Sequence, residues 1–242
     1  MKKLVLSFLL LFTSFACLAE CEDLAFNRQL PKTSQSLMVL CKQTFVIGYS
    51  TASKIAIWTA HTIESRTLLM PDTERKNVFK PDPNIPRESQ SSSSAYAGSG
   101  YDRGHLVPFD DLAYSAEEAA KSFMMTNIIP QIPQNNRQLW KSVETFTRKI
   151  ASKNKKIFVI TGTVHDEHAI RLVDGTPVPS HIWRIIIIPD KKVTYTFIVP
   201  NKLLPNNKFS EFISTVKKLK QLIPGVDPIP SRSRLTDIVT VQ

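Results

Sequence analysis

Apolar residues fall in short runs along the chain, and the spacing inside each run sets the structure expected of it. Phe45-Val46-Ile47-Gly48-Tyr49 and Ile55-Ala56-Ile57-Trp58-Thr59 are β-rich and separated by small polar residues, which predicts a hairpin. Ile157–Ile160, Ile182–Ile188 and Val193–Val199 predict three further strands. Leu139, Val143, Phe146 and Ile150 lie four, three and four apart, the period of one helix face, so a helix is expected from Gln138 to Ser152. Ser115 ahead of Ala116-Glu117-Glu118 puts a capping hydroxyl and two acids at a helix start, with the helix running through Met125. A last amphipathic helix is expected over Phe209–Leu222. The mixed order predicts an α+β fold, and no repeat or change of composition divides it, so residues 20–242 are read as one domain.

Between the first hairpin and the first helix, Pro71–Gly100 holds four prolines, a serine run from Ser89 to Ser94 and the triplet Gly98-Ser99-Gly100. This predicts a long irregular loop, a kind of segment that in a compact domain usually serves a nearby site.

The N-terminus has its own pattern. Lys2 and Lys3 precede sixteen uncharged residues, Leu4–Ala19, which reads as a signal peptide on residues 1–19 cleaved near Ala19. Sixteen residues are short for a membrane span, which needs about 20, so no stable membrane association is expected and the mature chain is read as secreted or periplasmic. Cys21 follows Glu20 rather than a small residue, which argues against lipidation. Cleavage leaves Cys21 and Cys41, an even pair in an oxidising space, and predicts one disulfide.

Composition narrows the class. With 242 residues, 42% of them hydrophobic, and sixteen prolines, the chain is neither a disordered tail nor a coiled coil. The formal charge of +10 becomes +8 when Lys2 and Lys3 are removed, which suits a polyanionic partner without choosing one.

Candidate chemistry concentrates between Tyr101 and Glu144. YDRGHLVP (Tyr101–Pro108) brings an acid, Arg103, a glycine and His105 together; TNIIPQ (Thr126–Gln131) and NNRQLWKSVE (Asn135–Glu144) follow. An imidazole, a fixed cation, carboxamides and a carboxylate suit a phosphodiester, whose hydrolysis needs an activated water and positive charge near the developing phosphorane. His165-Asp166-Glu167-His168 is a competing run, but it lacks metal-ligand helix spacing and follows a strand, so it reads as a solvated loop. Lys217, Lys218 and Lys220 read as the wet face of the last helix, Trp140 as a core anchor, and Asp102 as a partner for a basic neighbour or a brace of its turn.

The three linked motifs resemble the DNA/RNA non-specific endonucleases of the ββα-metal class. The spacing agrees as well, with Asn136 nine residues and Glu144 seventeen residues after Asn127. The resemblance implies a central antiparallel sheet flanked by helices, with a ββα-metal site formed by the strand before DRGH, the DRGH turn and the helix after it. It implies His105 as general base, Asn136 as the direct protein ligand of Mg²⁺ or Mn²⁺, and Glu144 as a carboxylate orienting water around the metal. It further implies Arg103 on phosphate or bracing the site, and Asn127 orienting His105 or the scissile phosphate. An upstream arginine that clamps phosphate is also implied, for which Arg75 in ERKNVFKPDP is the candidate. The implied function is an exported endonuclease cutting DNA and RNA to 5′-phosphate ends. The alternative is a catalytically silent exported protein that binds nucleic acid; the presence of both His105 and Asn136 argues against silence. A homodimer is compatible with this reading, and the sequence identifies no inhibitor protein.

Overall fold

The computed structural model describes residues 21–204, 206–230 and 235–240, so the signal-peptide reading of residues 1–19 lies outside the described residues. The expected hairpin is present as β3 (Phe45–Ser50) and β4 (Ile55–Glu64). The strands short of it and beyond it are β1 (Lys32–Thr33), β2 (Met38–Cys41), β5 (Asp102–His105), β6 (Ile128–Gln131), β7 (Lys156–Val164), β8 (His181–Ile188), β9 (Val193–Pro200), β10 (Ile213–Ser214), β11 (Val226–Asp227) and β12 (Thr236–Ile238). Among the described residues the main sheet has eight strands. Its path runs β10-β9-β8-β7-β4-β3-β2, antiparallel throughout, with β12 joining the edge of β9 in parallel. The pairs β1–β11 and β5–β6 stand apart from it.

Almost every residue of β3, β4 and β8 is buried, so their side chains are covered on both faces of the sheet. That is why these strands read as continuous apolar runs rather than as an alternation. The helix α1 (Ala116–Lys121) starts where Ser115 caps it, its hydroxyl accepting from the Glu118 amide at 3.4 Å. It stops short of the expected Met125. The Ser122 hydroxyl turns back to the Ala119 carbonyl and the Ser122 carbonyl is taken by Asn127, which leaves no continuing ladder. The apolar-periodic segment forms α2 (Lys141–Ser152), entered through a π-helical turn, Asn135–Trp140.

The expected helix over Phe209–Leu222 is corrected. Phe209–Phe212 is a 3₁₀ turn, Ile213 and Ser214 pair with Phe197 and Thr196 at the sheet edge, and only α3 (Val216–Leu222) is helical. Thr215 is the cause, because its hydroxyl accepts from the Lys218 amide at 3.1 Å and starts the helix there. Lys217 and Lys218 are exposed on it, and Lys220 pairs with Asp227 at 2.7 Å. The Cys21–Cys41 disulfide is present, fastening the N-terminal segment to β2. No helix among the described residues is long and apolar enough to cross a membrane.

The long loop is irregular, as expected, yet firmly anchored. Lys42 at the end of β2 donates to Asp82 and Asn84, both at 2.7 Å, with the Lys42 and Asp82 side chains 4% and 0% exposed. The Thr126 hydroxyl gives Asp82 a second bond at 2.6 Å, and the Gln90 side chain accepts from the Asp82 amide and donates to its carbonyl. Removing one partner of a buried pair strands the other charge. Lys42→Ala should therefore cost about 3–5 kcal/mol in urea unfolding, whereas Arg66→Ala, which removes the exposed pair with Glu64, should cost less than about 1 kcal/mol. Equal effects would refute the anchoring role.

Candidate active site

DRGH forms strand β5 itself rather than a turn after a strand. It pairs antiparallel with β6, Asp102 opposite Gln131 and His105 opposite Ile128. Gly104 is required by a close approach: a Cβ there would lie 2.2 Å from the Gln131 Oε1, because the Gln131 side chain crosses the strand to donate to Asn135 at 2.8 Å. β6 leads directly into the π turn and α2. Two strands and a helix thus meet at one place.

Strand alternation puts Arg103 and His105 on the same side of β5, facing a cleft of about 350 Å³. Arg75, Asn136 and Glu144 also line it, as do Arg137 and Lys141. Five of the six expected site residues therefore share one cleft. The sixth, Asn127, is fully buried outside it. Its amide donates to the Val107 and Ser122 carbonyls, and its oxygen accepts from the Val107 amide. Its side chain makes no hydrogen bond to His105 and does not line the cleft, and it fixes the chain two residues beyond the imidazole.

His105 is only 9% exposed, held edge-on to Phe123 at 4.9 Å with Phe79 at 5.6 Å. Its Nε2 is buried without a hydrogen-bond partner. Burial, aided by the Arg75 charge, pushes the imidazole down to about 3, far below the ordinary value of 6.5. The side chain is neutral at physiological pH. Arg75 is held by Asn77 at 2.9 Å and lies over the Phe109 and Phe123 rings at 5.2 and 5.4 Å. Arg103 donates to the Ser93 hydroxyl and carbonyl at 2.9 and 2.6 Å and sits over Phe79 and Tyr96, so the long loop braces it.

Asn136 has its orientation set by Asp102. Its amide nitrogen donates to the Asp102 Oδ2 at 2.9 Å, which directs the carboxamide oxygen elsewhere, while Arg137 grips the same carboxylate through two bonds of 2.8 and 2.7 Å. Burial works against the Asp102 charge, but these bonds and the neighbouring guanidiniums hold its carboxyl below the usual range. The sequence shows the acid beside bases; that it aims a carboxamide appears only once β5 and the π turn are brought together.

Behind Glu144 lies a buried charge network. Asp111 bonds His61 at 3.0 Å and Arg148 at 3.1 Å; Arg184, fully buried, donates to the Leu106 carbonyl at 3.0 Å and to Thr161 at 3.1 Å. Burial raises the Glu144 carboxyl to about 7, against the pull of Arg184 and with a further push from Asp111. These partners are isolated polar residues in apolar stretches, and their only signal in sequence is that interruption. His165, from the competing run, bonds Thr163 at 2.9 Å in a loop away from the cleft.

A family profile for DNA/RNA non-specific endonucleases matches residues 25–231. The chain is 32% identical over 153 residues to a nuclease of Nostoc sp., covering 63% of this chain and 55% of that one. To the mitochondrial nuclease EXOG of Homo sapiens it is 29% identical over 217 residues, covering 82% and 58%. It thus spans little more than half the length of these curated relatives. The fold matches a chain of the EndoG/EndoGI complex crystal structure with a TM-score of 0.78 at 20% identity, covering 91% of this chain and 95% of that one.

Glu144 has a pH signature of its own. Between its ordinary 4.5 and about 7, the unfolded carboxyl is ionised while the folded one stays protonated, so this group's contribution to stability falls as pH rises through that window. Without divalent metal, wild type should lose roughly 2–3 kcal/mol relative to Glu144→Gln between pH 4.5 and 7.5. Urea unfolding at both pH values measures it, and parallel curves would refute the shift.

Proposed function

Because the chain belongs to the DNA/RNA non-specific endonuclease family, we propose that it is an exported, Mg²⁺-dependent endonuclease hydrolysing phosphodiester bonds of DNA and RNA, with His105 as general base and Asn136 as metal ligand. The observation that carries this reading is the meeting, in one cleft, of a neutral imidazole without a partner and a carboxamide whose oxygen Asp102 leaves free.

The residues present fit a hard divalent cation. Mg²⁺ keeps several waters and takes few protein oxygens, and the cleft offers the Asn136 oxygen with the Glu144 carboxyl nearby; the described residues contain no cluster of three or more His, Cys, Asp or Glu that would enclose a metal. When bound, Mg²⁺ or Mn²⁺ supplies positive charge to the phosphate and to the leaving oxygen. Arg75 and Arg103, which line the cleft with His105, hold phosphate oxygens bidentately. A phosphate seated between them offsets the Arg75 charge and raises the basicity of His105 toward the working pH, so the imidazole accepts a water proton when substrate is bound. Ionised Glu144 orients water beside Asn136. Asn127 acts by position, holding Val107 and with it the exit of β5.

Recognition through phosphate charge makes cleavage of both DNA and RNA, with little sequence preference, the expected behaviour. The disulfide supports export, since such bonds persist in oxidising compartments. Residues 20–242 act as the nuclease domain.

Plasmid nicking with Mg²⁺, abolished by EDTA, tests the activity. His105→Ala should lower the rate by about 10²–10⁴ while binding persists. Asn136→Ala should raise the Mg²⁺ concentration needed, and excess metal should recover part of its activity but none of that lost with His105. Wild-type rates in both variants would overturn the assignment. Binding without cleavage by wild type would favour the silent nucleic-acid-binding protein.

A further inference from the structure

Beyond the catalytic cleft, two larger hollows follow one another along α2. The first, about 740 Å³, shares Arg137 and Lys141 with the cleft; the second, about 370 Å³, shares Phe146 and Lys149 with the first and adds Lys153 and Lys191. Neither is lined by a carboxylate. Arg137, Lys141, Thr145, Lys149 and Lys153 recur every four residues, so they form a row that winds slowly across the exposed surface of the helix toward the edge of its apolar face at Phe146 and Ile150. Lys141, Lys149, Lys153 and Lys191 are exposed, and none is engaged in an ion pair among the described residues.

The first hollow is also built for more than charge. Its wall includes Phe209, partly exposed and stacked at a tilt on Phe146 at 5.4 Å, and the carboxamides of Gln134, Gln138 and Asn206. The Gln134 Oε1 is buried with no hydrogen-bond partner, an acceptor lacking its donor. An aromatic ring, free carboxamides and cations with no acid form the combination that seats a nucleobase beside a phosphate.

We propose that the strand being cut runs from the cleft along α2, one base seated against Phe209 and Gln134 and the following phosphates on Lys149, Lys153 and Lys191. This extended subsite rests on the nuclease reading. From Lys141 to Lys153 the helix rises about 18 Å, a length that takes about five phosphates at the 3.4 Å axial spacing of a strand in B-form DNA and fewer along an extended single strand. Affinity therefore depends on substrate length until the stripe is filled.

Binding and cleavage separate the two readings. With EDTA present, fluorescence anisotropy of wild type against single-stranded oligonucleotides of about 4 and 12 residues should show at least a tenfold tighter Kd for the longer, at a fixed salt concentration. The Lys149→Ala/Lys153→Ala variant should lose most of that ratio, while Lys217→Ala/Lys218→Ala, equal in charge but on α3, should keep it. A Phe209→Ala variant should weaken binding of the intact oligonucleotide by about fivefold or more and leave binding of its abasic counterpart little changed. Cleavage with Mg²⁺ but the same Kd at both lengths would overturn the subsite and leave the nuclease standing. A length dependence lost with the α2 lysines, in a protein that cuts nothing, would uphold the subsite and overturn the nuclease. Equal loss in the α2 and α3 variants would reduce the effect to net charge and overturn the subsite.

Discussion

A buried guanidinium has five donors, no acceptor and no way to shed its charge, so the chain around it must be arranged to meet it. Arg184 stands in the middle of β8 with nothing exposed, and it is met from three directions. β7 supplies Thr161, the segment leaving β5 supplies the Leu106 carbonyl, and the Trp140 ring of the π turn lies under the guanidinium plane at 5.0 Å. Leu106 and Trp140 adjoin residues that line the cleft, whereas Thr161 lies at the centre of the main sheet. The residue after His105, the entry to α2 and the centre of the sheet are held in one frame by a single cation. The acidic groups that act on its charge are Glu144 and Asp111, so the carboxyl at the cleft wall sits over a basic core.

The cleft that results is set by opposite displacements. Burial strips His105 of its proton and leaves Glu144 holding one, so at mildly acidic pH both groups are neutral. Two titratable groups pushed in opposite directions are what an acid–base site requires, in keeping with the roles proposed for them. The charge left over is that of Arg75, Arg103 and Lys141, with Arg137 spent on Asp102, and with Asp110, also in the lining, paired with Arg148 at 3.2 Å. An anion entering the cleft therefore meets these cations, and its charge acts against Arg75, the smaller of the two causes, after burial, that hold the His105 imidazole down.

Much of this was legible in the sequence because it is local. Runs such as Ile182–Ile188 are short and rich in β-branched residues, as buried strands are, and the four-three-four spacing of Leu139, Val143, Phe146 and Ile150 is that of one helix face; both are present. What failed was equally local in cause. Phe209–Leu222 carries helical periodicity, but Thr215 offers a cap inside it and Ile213 pairs with Phe197, so a tertiary pairing and a side-chain cap override the pattern. DRGH reads as a turn because it is short, polar and contains glycine, yet the glycine is there to let the Gln131 side chain cross a strand. Asn127 keeps the expected place in its motif while its amide serves Val107 and Ser122. Spacing finds which residues belong together; it does not say which of them faces the substrate and which holds the others.

The helix shows that difference in geometric form. Asn136 and Glu144 are eight residues apart, and in an unbroken α-helix, at about 100° per residue, they would point about 80° away from each other. The π turn at Asn135–Trp140 absorbs one residue without advancing the α-helical register. The effective separation becomes seven residues, and the offset falls to about 20°, so both side chains reach the same cleft. The wider turn also brings Asn136 and Arg137, adjacent in sequence, onto the single Asp102 carboxylate. A purely α-helical entry would keep the apolar face of α2 on the sheet and lose the common direction of carboxamide and carboxyl. The spacing of the motif thus fits a helix that is not regular, and the irregular turn is what lets that spacing bring the carboxamide and the carboxyl to one cleft.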